Sequence, residues 1–146
     1  ILDTGLRLTG DEKVFNDNGQ SYIFTASTNL EKRKAMEIKG AKVIDCDVLD
    51  GGLNLEMILK KLADLEINEL LIEAGSQLTS SFLRQGFWDE LVVFLAPKIM
   101  GFNGRKAINI PSPNILADAL QLELLEKSVV GGDVKLVFGK VEEGIH

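Results

Sequence analysis

Apolar and polar positions recur along this chain at two different spacings, and each change of spacing marks an element. Across residues 54–66, Leu55, Ile58, Leu59, Leu62 and Leu65 fall three and four residues apart, with Lys60, Lys61 and Asp64 on the other face. That spacing predicts an amphipathic helix with its leucine stripe in the core. Asn29 is placed to cap a helix over "LEKRKAMEIKG", which Gly40 ends. A third helix is expected over residues 76–85.

Short apolar runs separate the helices. "SYIFTA" (21–26), "AKVIDC" (41–46), "ELLIEA" (69–74) and "DELVVFLAPKI" (89–99) read as strands, and "ILD" at the front as an opening one. Strands that alternate with helices predict parallel pairing through crossover helices. The end of the chain differs: Leu120, Leu122 and Leu124 alternate with Gln121 and Glu123, and Val134, Leu136 and Phe138 alternate beyond the turn "VGGD" (130–133). Such period-two runs about a glycine turn predict an antiparallel hairpin. The expected fold class is α/β: a mixed sheet with a parallel core, a C-terminal antiparallel hairpin and helices on both faces. No repeat or linker-like run divides the chain, so residues 1–146 are expected to form one domain.

Composition narrows the function classes. With 45% hydrophobic residues in 146, the chain has enough apolar surface for a core. Sixteen basic against 22 acidic residues, a net charge of -6, argue against a nucleic-acid or anionic-membrane partner, so an anionic ligand has to be met by local groups. Cys46 and His146 are each the sole residue of their kind, which rules out an internal disulfide and a Cys/His zinc centre, and no metal site is expected. No apolar run approaches the roughly 18 residues of a membrane span, and nothing resembles a signal peptide. A cytoplasmic protein is expected. The chain begins at Ile1 inside a strand-like run, which suggests a piece of something longer.

Candidate chemistry centres on "LIEAGSQLTSSFLRQG" (71–86). Ligands of open α/β sheets collect beyond the carboxyl ends of strands, where a helix N-terminus offers free N–H groups to an anion. Gly75 permits close backbone approach, and Ser76, Gln77, Thr79, Ser80 and Ser81 carry hydroxyl or amide groups suited to phosphate and ribose. The same residues are also ordinary caps, and the run is neither G-x-G-x-x-G nor a P-loop. Glu73, at the end of its strand, looks buried and in need of a hydrogen-bonding or cationic partner. "APKIMGFNGRKAI" (96–108) carries Lys98, Arg105 and Lys106 among glycines, either to meet a phosphate or as a solvated loop. Asp3 and Thr4 form a third candidate, with capping as the ordinary alternative.

Four stretches, "ILDTGLRL", "INELLIEAGSQLTSSFLRQGFWDELVVFLAPKIMG", "LADALQLELLE" and "VGGDVKLVF", resemble in order and spacing the reductase domain of the bacterial riboflavin-biosynthesis deaminase/reductase. The resemblance implies a dihydrofolate-reductase-like fold. It also implies NADPH-dependent reduction of 5-amino-6-(5-phosphoribosylamino)uracil, the ribosyl group becoming ribityl, in a homodimer. By the same resemblance Glu73 contacts the substrate, a phosphorylated pyrimidine. Gly75, Ser76, Gln77, Leu78, Thr79, Ser80 and Ser81 contact the cofactor, and Thr4 lies near it. The family's usual Glu-Gly-Gly is Glu73-Ala74-Gly75 here, which adds a Cβ at a tight junction. Strands and a helix that precede this region in the family, and its zinc-containing deaminase domain, have no counterpart in the chain, so no deaminase activity is expected. No general acid is assigned. Two other readings are a reductase of another pyrimidine or pterin and a non-catalytic nucleotide-binding or oligomerising module.

Overall fold

A computed structural model describes residues 1–16 and 18–141. They fall into two units, Ile1–Leu70 and Leu71–His146.

The first unit runs β1 (Tyr22–Thr25), α1 (Leu30–Ile38), β2 (Lys42–Asp45), β3 (Val48–Leu49), β4 (Gly52–Leu53) and α2 (Leu55–Asp64). β1 and β2 pair in parallel from Tyr22↔Lys42 to Thr25↔Asp45, with α1 as the crossover. Asn29 caps α1 as expected, its side chain accepting the Lys32 N–H at 3.0 Å, and Asn54 caps α2 in the same way, accepting the Met57 N–H at 3.1 Å. Asp50 and Gly51, at φ 52° and 79°, make the two-residue turn that closes the β3–β4 hairpin. Leu6, Ile23, Met36 and Ala41 form the buried cluster, with Leu8, Phe15 and Val43 packed on it.

Leu6 sits in the left-handed region, φ 49°, and is wholly buried. Its environment holds it there. Asp3 Oδ2 accepts the Arg7 and Leu8 N–H groups at 2.5 and 3.0 Å, and Lys32 Nζ donates to the Leu6 carbonyl at 3.1 Å. The capping role of Asp3 is thus the one the structure displays.

The second unit contains α3 (Ser76–Gln85), β5 (Leu91–Leu95), β6 (Leu122–Val130) and β7 (Asp133–Lys140). The strands form one antiparallel sheet in the order β5-β7-β6. The C-terminal hairpin turns at Gly131 and Gly132, whose φ angles of 60° and 97° few side chains tolerate. Lys140 Nζ donates to the Gly86 carbonyl at 2.8 Å and lies 5.6 Å from the centre of the Trp88 ring, tying the end of β7 to the loop after α3.

Three expectations change. "ILD" contributes one parallel bridge, Leu2↔Phe24, rather than a strand. "ELLIEA" forms no strand: Leu71 is 81% exposed, and no neighbour supplies ladder bonds among the described residues. An apolar run has the side chains of a strand, but only a partner makes it one. β5 lies antiparallel to β7, because alternation with helices reveals that a strand exists and not which strand will return beside it. Among the described residues, no helix is long and apolar enough to cross a membrane.

Two stability measurements follow. Ile58→Ala, at a side chain 2% exposed, is expected to cost about 2–4 kcal/mol in urea unfolding, and Leu30→Ala, at 78%, less than about 0.5 kcal/mol. Asp3→Ala leaves two N–H groups without their acceptor and is expected to cost about 1–3 kcal/mol, with Asp3→Asn, which keeps an acceptor oxygen, costing less.

Candidate functional site

Helix α3 begins without a side-chain cap, since Gly75 occupies the N-cap position. Its first intrahelical bond is Thr79 N–H to the Gly75 carbonyl at 3.1 Å, so the Ser76, Gln77 and Leu78 N–H groups have no acceptor among the described residues. Aligned peptide dipoles add partial positive charge at this end. Gly75 has φ −70°, which any residue adopts, and a Cβ built on it meets nothing within 4 Å. Neither backbone geometry nor packing requires a glycine here; what its hydrogen preserves is open space before three free donors.

That space belongs to a cleft of about 780 Å³, lined on one side by Ala74, Gly75, Ser76, Gln77 and Leu78 and on the other by Arg105, Lys106, Ala107 and Asn109. The two anion candidates of the second unit therefore meet in one place. The chemistry is that of an anion receptor: backbone donors, a helix dipole and two exposed cations around a volume of ligand size.

The other expected residues take varied positions. Thr79 and Ser81 direct their hydroxyls to carbonyls of their own turn, Ala74 at 3.4 Å and Gln77 at 3.2 Å. Ser80 is buried and bonded to Ser76 and Asn109. Glu73 is exposed, with no hydrogen bond or ion pair among the described residues, so the partner expected for a buried carboxylate is not needed. Thr4 lies in the first unit, exposed; its carbonyl accepts from the Ala26 N–H and the Thr25 hydroxyl, each at 3.2 Å. Lys98 is exposed. Asn109 escaped the sequence reading, because a backbone amide 29 residues from its acceptor leaves no local pattern. Among the described residues no cluster of three or more His, Cys, Asp or Glu side chains is arranged to hold a metal.

A family model described as the RibD C-terminal domain matches residues 1–136. The chain belongs to the RibD C-terminal domain family. It is 36% identical over 140 residues to the riboflavin biosynthesis protein RibD of Aquifex aeolicus, covering 94% of this chain and 37% of that protein. It is 26% identical over 137 residues to the 5-amino-6-(5-phosphoribosylamino)uracil reductase of Buchnera aphidicola, covering 94% of this chain and 64% of that one. In structure it is similar to Acinetobacter baumannii RibD, with a TM-score of 0.83 at 25% identity over 97% of this chain and 37% of that chain. The RibD C-terminal domain chain thus spans little more than a third of the RibD proteins it matches, and its mixed α/β fold is of the dihydrofolate-reductase-like, RibD reductase type.

Cys46 lies outside this cleft. Burial pushes its thiol above the ordinary value, and Asp47 adds to the rise. Since the thiolate is the reactive form, alkylation near neutral pH is expected to be far slower than for a free cysteine and to reach the free rate only on unfolding, as a timed iodoacetamide reaction followed by mass spectrometry will reveal.

Proposed function

We propose that this RibD C-terminal domain chain is the reductase part of a riboflavin-biosynthesis enzyme, reducing 5-amino-6-(5-phosphoribosylamino)uracil with NADPH. The observation that carries the cofactor assignment is the cleft in which the uncapped start of α3 meets Arg105 and Lys106. A dinucleotide with a further 2′-phosphate presents multiple negative charges, and on a chain of net charge -6 it needs such local donors. The residues present fit that group. Gly75, Ser76, Gln77 and Leu78 supply close backbone approach and amide donors, while Arg105 and Lys106 supply positive charge. Thr79, Ser80 and Ser81 complete the helix turns behind them, and Thr4 is a further cofactor contact by family resemblance.

NADPH, when bound, supplies the hydride that turns the ribosyl group into a ribityl group. The protein's part is to hold cofactor and sugar in line. Glu73, beside the cofactor stretch in sequence, is assigned to the substrate, and its exposed carboxylate is free to accept hydrogen bonds from pyrimidine or sugar hydroxyls. The reductase name of the Buchnera relative and the family match through residues 1–136 support this reading, and with it a single reductase-type domain over residues 1–146. A cytoplasmic homodimer completes the proposal; apolar side chains exposed on β5 and β6, such as Phe94 and Val129, give a second copy something to cover.

Calorimetric titration with NADPH and NADH tests the site. The unaltered chain is expected to bind NADPH saturably and more tightly than NADH. Gly75→Ser makes a better helix cap, so it is expected to hold or raise the melting temperature while its hydroxyl competes for the amides and weakens NADPH roughly tenfold or more. Arg105→Ala with Lys106→Ala is expected to weaken NADPH by about 10–100-fold and NADH less. Unchanged NADPH affinity in both variants would remove the cofactor assignment.

A further inference from the structure

Ser80 joins the two walls of the cleft. Its side chain is 3% exposed; Oγ donates to the Ser76 carbonyl at 2.6 Å and accepts the Asn109 N–H at 2.7 Å. A serine hydroxyl has one proton, and here that proton is committed to its own helix, leaving none for a phosphate. On the other wall, the stretch from Ile99 to Asn114 makes one hydrogen bond that leaves the stretch among the described residues, and it is this bond from Asn109. Little apolar packing supplements it, for Ile99, Met100 and Phe102 are all strongly exposed. Among the described residues, the segment bearing Arg105 and Lys106 is therefore hydrogen-bonded to α3 at one point, the buried Ser80 hydroxyl, four residues after the helix's first free amide.

We infer that Ser80 is a positioning residue, whose hydroxyl holds the Arg105–Asn109 wall across from the α3 N-terminus and so sets how the two cations and the helix amides share one anionic ligand. This rests on the cofactor site proposed above and assigns Ser80 a different task from its neighbours: it acts through Arg105 and Lys106, not by contact with the cofactor. Removing the hydroxyl deletes the acceptor of the Asn109 N–H and lets the cationic wall move, while the helix amides stay in place.

Two measurements on the whole chain test it. In Ser80→Ala, amide hydrogen exchange followed by NMR is expected to lose protection at Asn109 by about tenfold or more, with the later turns of α3 unchanged. NADPH affinity is then measured in Ser80→Ala, in Arg105→Ala with Lys106→Ala, and in all three together. Ser80→Ala alone is expected to weaken NADPH by roughly tenfold, and to add nothing once the two cations are gone, because residues that act through one another are not additive. A full repeat of the Ser80→Ala penalty in the triple variant would overturn the inference, since Ser80 would then act on the ligand or the helix directly; so would unaltered exchange at Asn109. Should Ser80→Ala fail to fold by circular dichroism, Ser80→Cys, similar in size and a weaker acceptor, takes its place with the same expectations. NADPH binding indifferent to the loss of both cations would sink the cofactor site itself, and the positioning role with it, while Asn109 exchange would still report whether the anchor exists.

Discussion

Three backbone N–H groups at the start of α3 set the terms for the second unit. A helix cannot pair its own first amides, and a chain ordinarily answers with a side-chain cap, as this one does at Asn29 and Asn54. At α3 it places Gly75 instead, with backbone angles that any residue adopts and open space where a Cβ would stand. Two capped helices beside one left open, in the same chain, argue that the open end is kept for something other than the fold. The cleft before it, with cations on the far wall, is positive on both sides and so suits an anion.

The first unit solves the opposite problem. There a strained residue, Leu6, is surrounded by enough satisfied groups to stay strained: the Asp3 carboxylate gathers the next two amides, Lys32 takes the carbonyl, and the side chain is sealed from water. Around Leu6 the backbone groups find partners within the chain, and at the start of α3 three amides do not. The distinction is visible only once each amide's partner is followed.

Local pattern carried much of this structure. The helix α2, with Leu55 and Ile58 of its stripe buried, the Asn29 cap, the bounds of α3 and the glycine turn of the final hairpin all follow from spacings of four residues or fewer, which is why the sequence displays them. What depended on distant partners was lost. "ELLIEA" has the composition of a strand yet pairs with nothing described, β5 meets its neighbour in the antiparallel sense, and a bulge between Leu124 and Glu126 breaks the alternation that marks β6, leaving both Leu124 and Leu125 exposed. At the candidate site the small polar run was legible as a helix start with free amides, and Arg105 and Lys106 as a positively charged loop. That the two line one cleft was a fact of folding, and Ser80, legible only as one more hydroxyl, turned out to be buried and bonded to both walls.

A binding surface made of amides has an evolutionary consequence. Peptide N–H groups are the same under every side chain, so Ser76, Gln77 and Leu78 are free to drift so long as the helix begins where it does. In the proposed site, selection then bears on a residue without a Cβ at position 75, which keeps that beginning clear, and on a small buried hydroxyl at position 80, which holds the facing wall. Relatives could share such a site while agreeing on few of the residues that surround it.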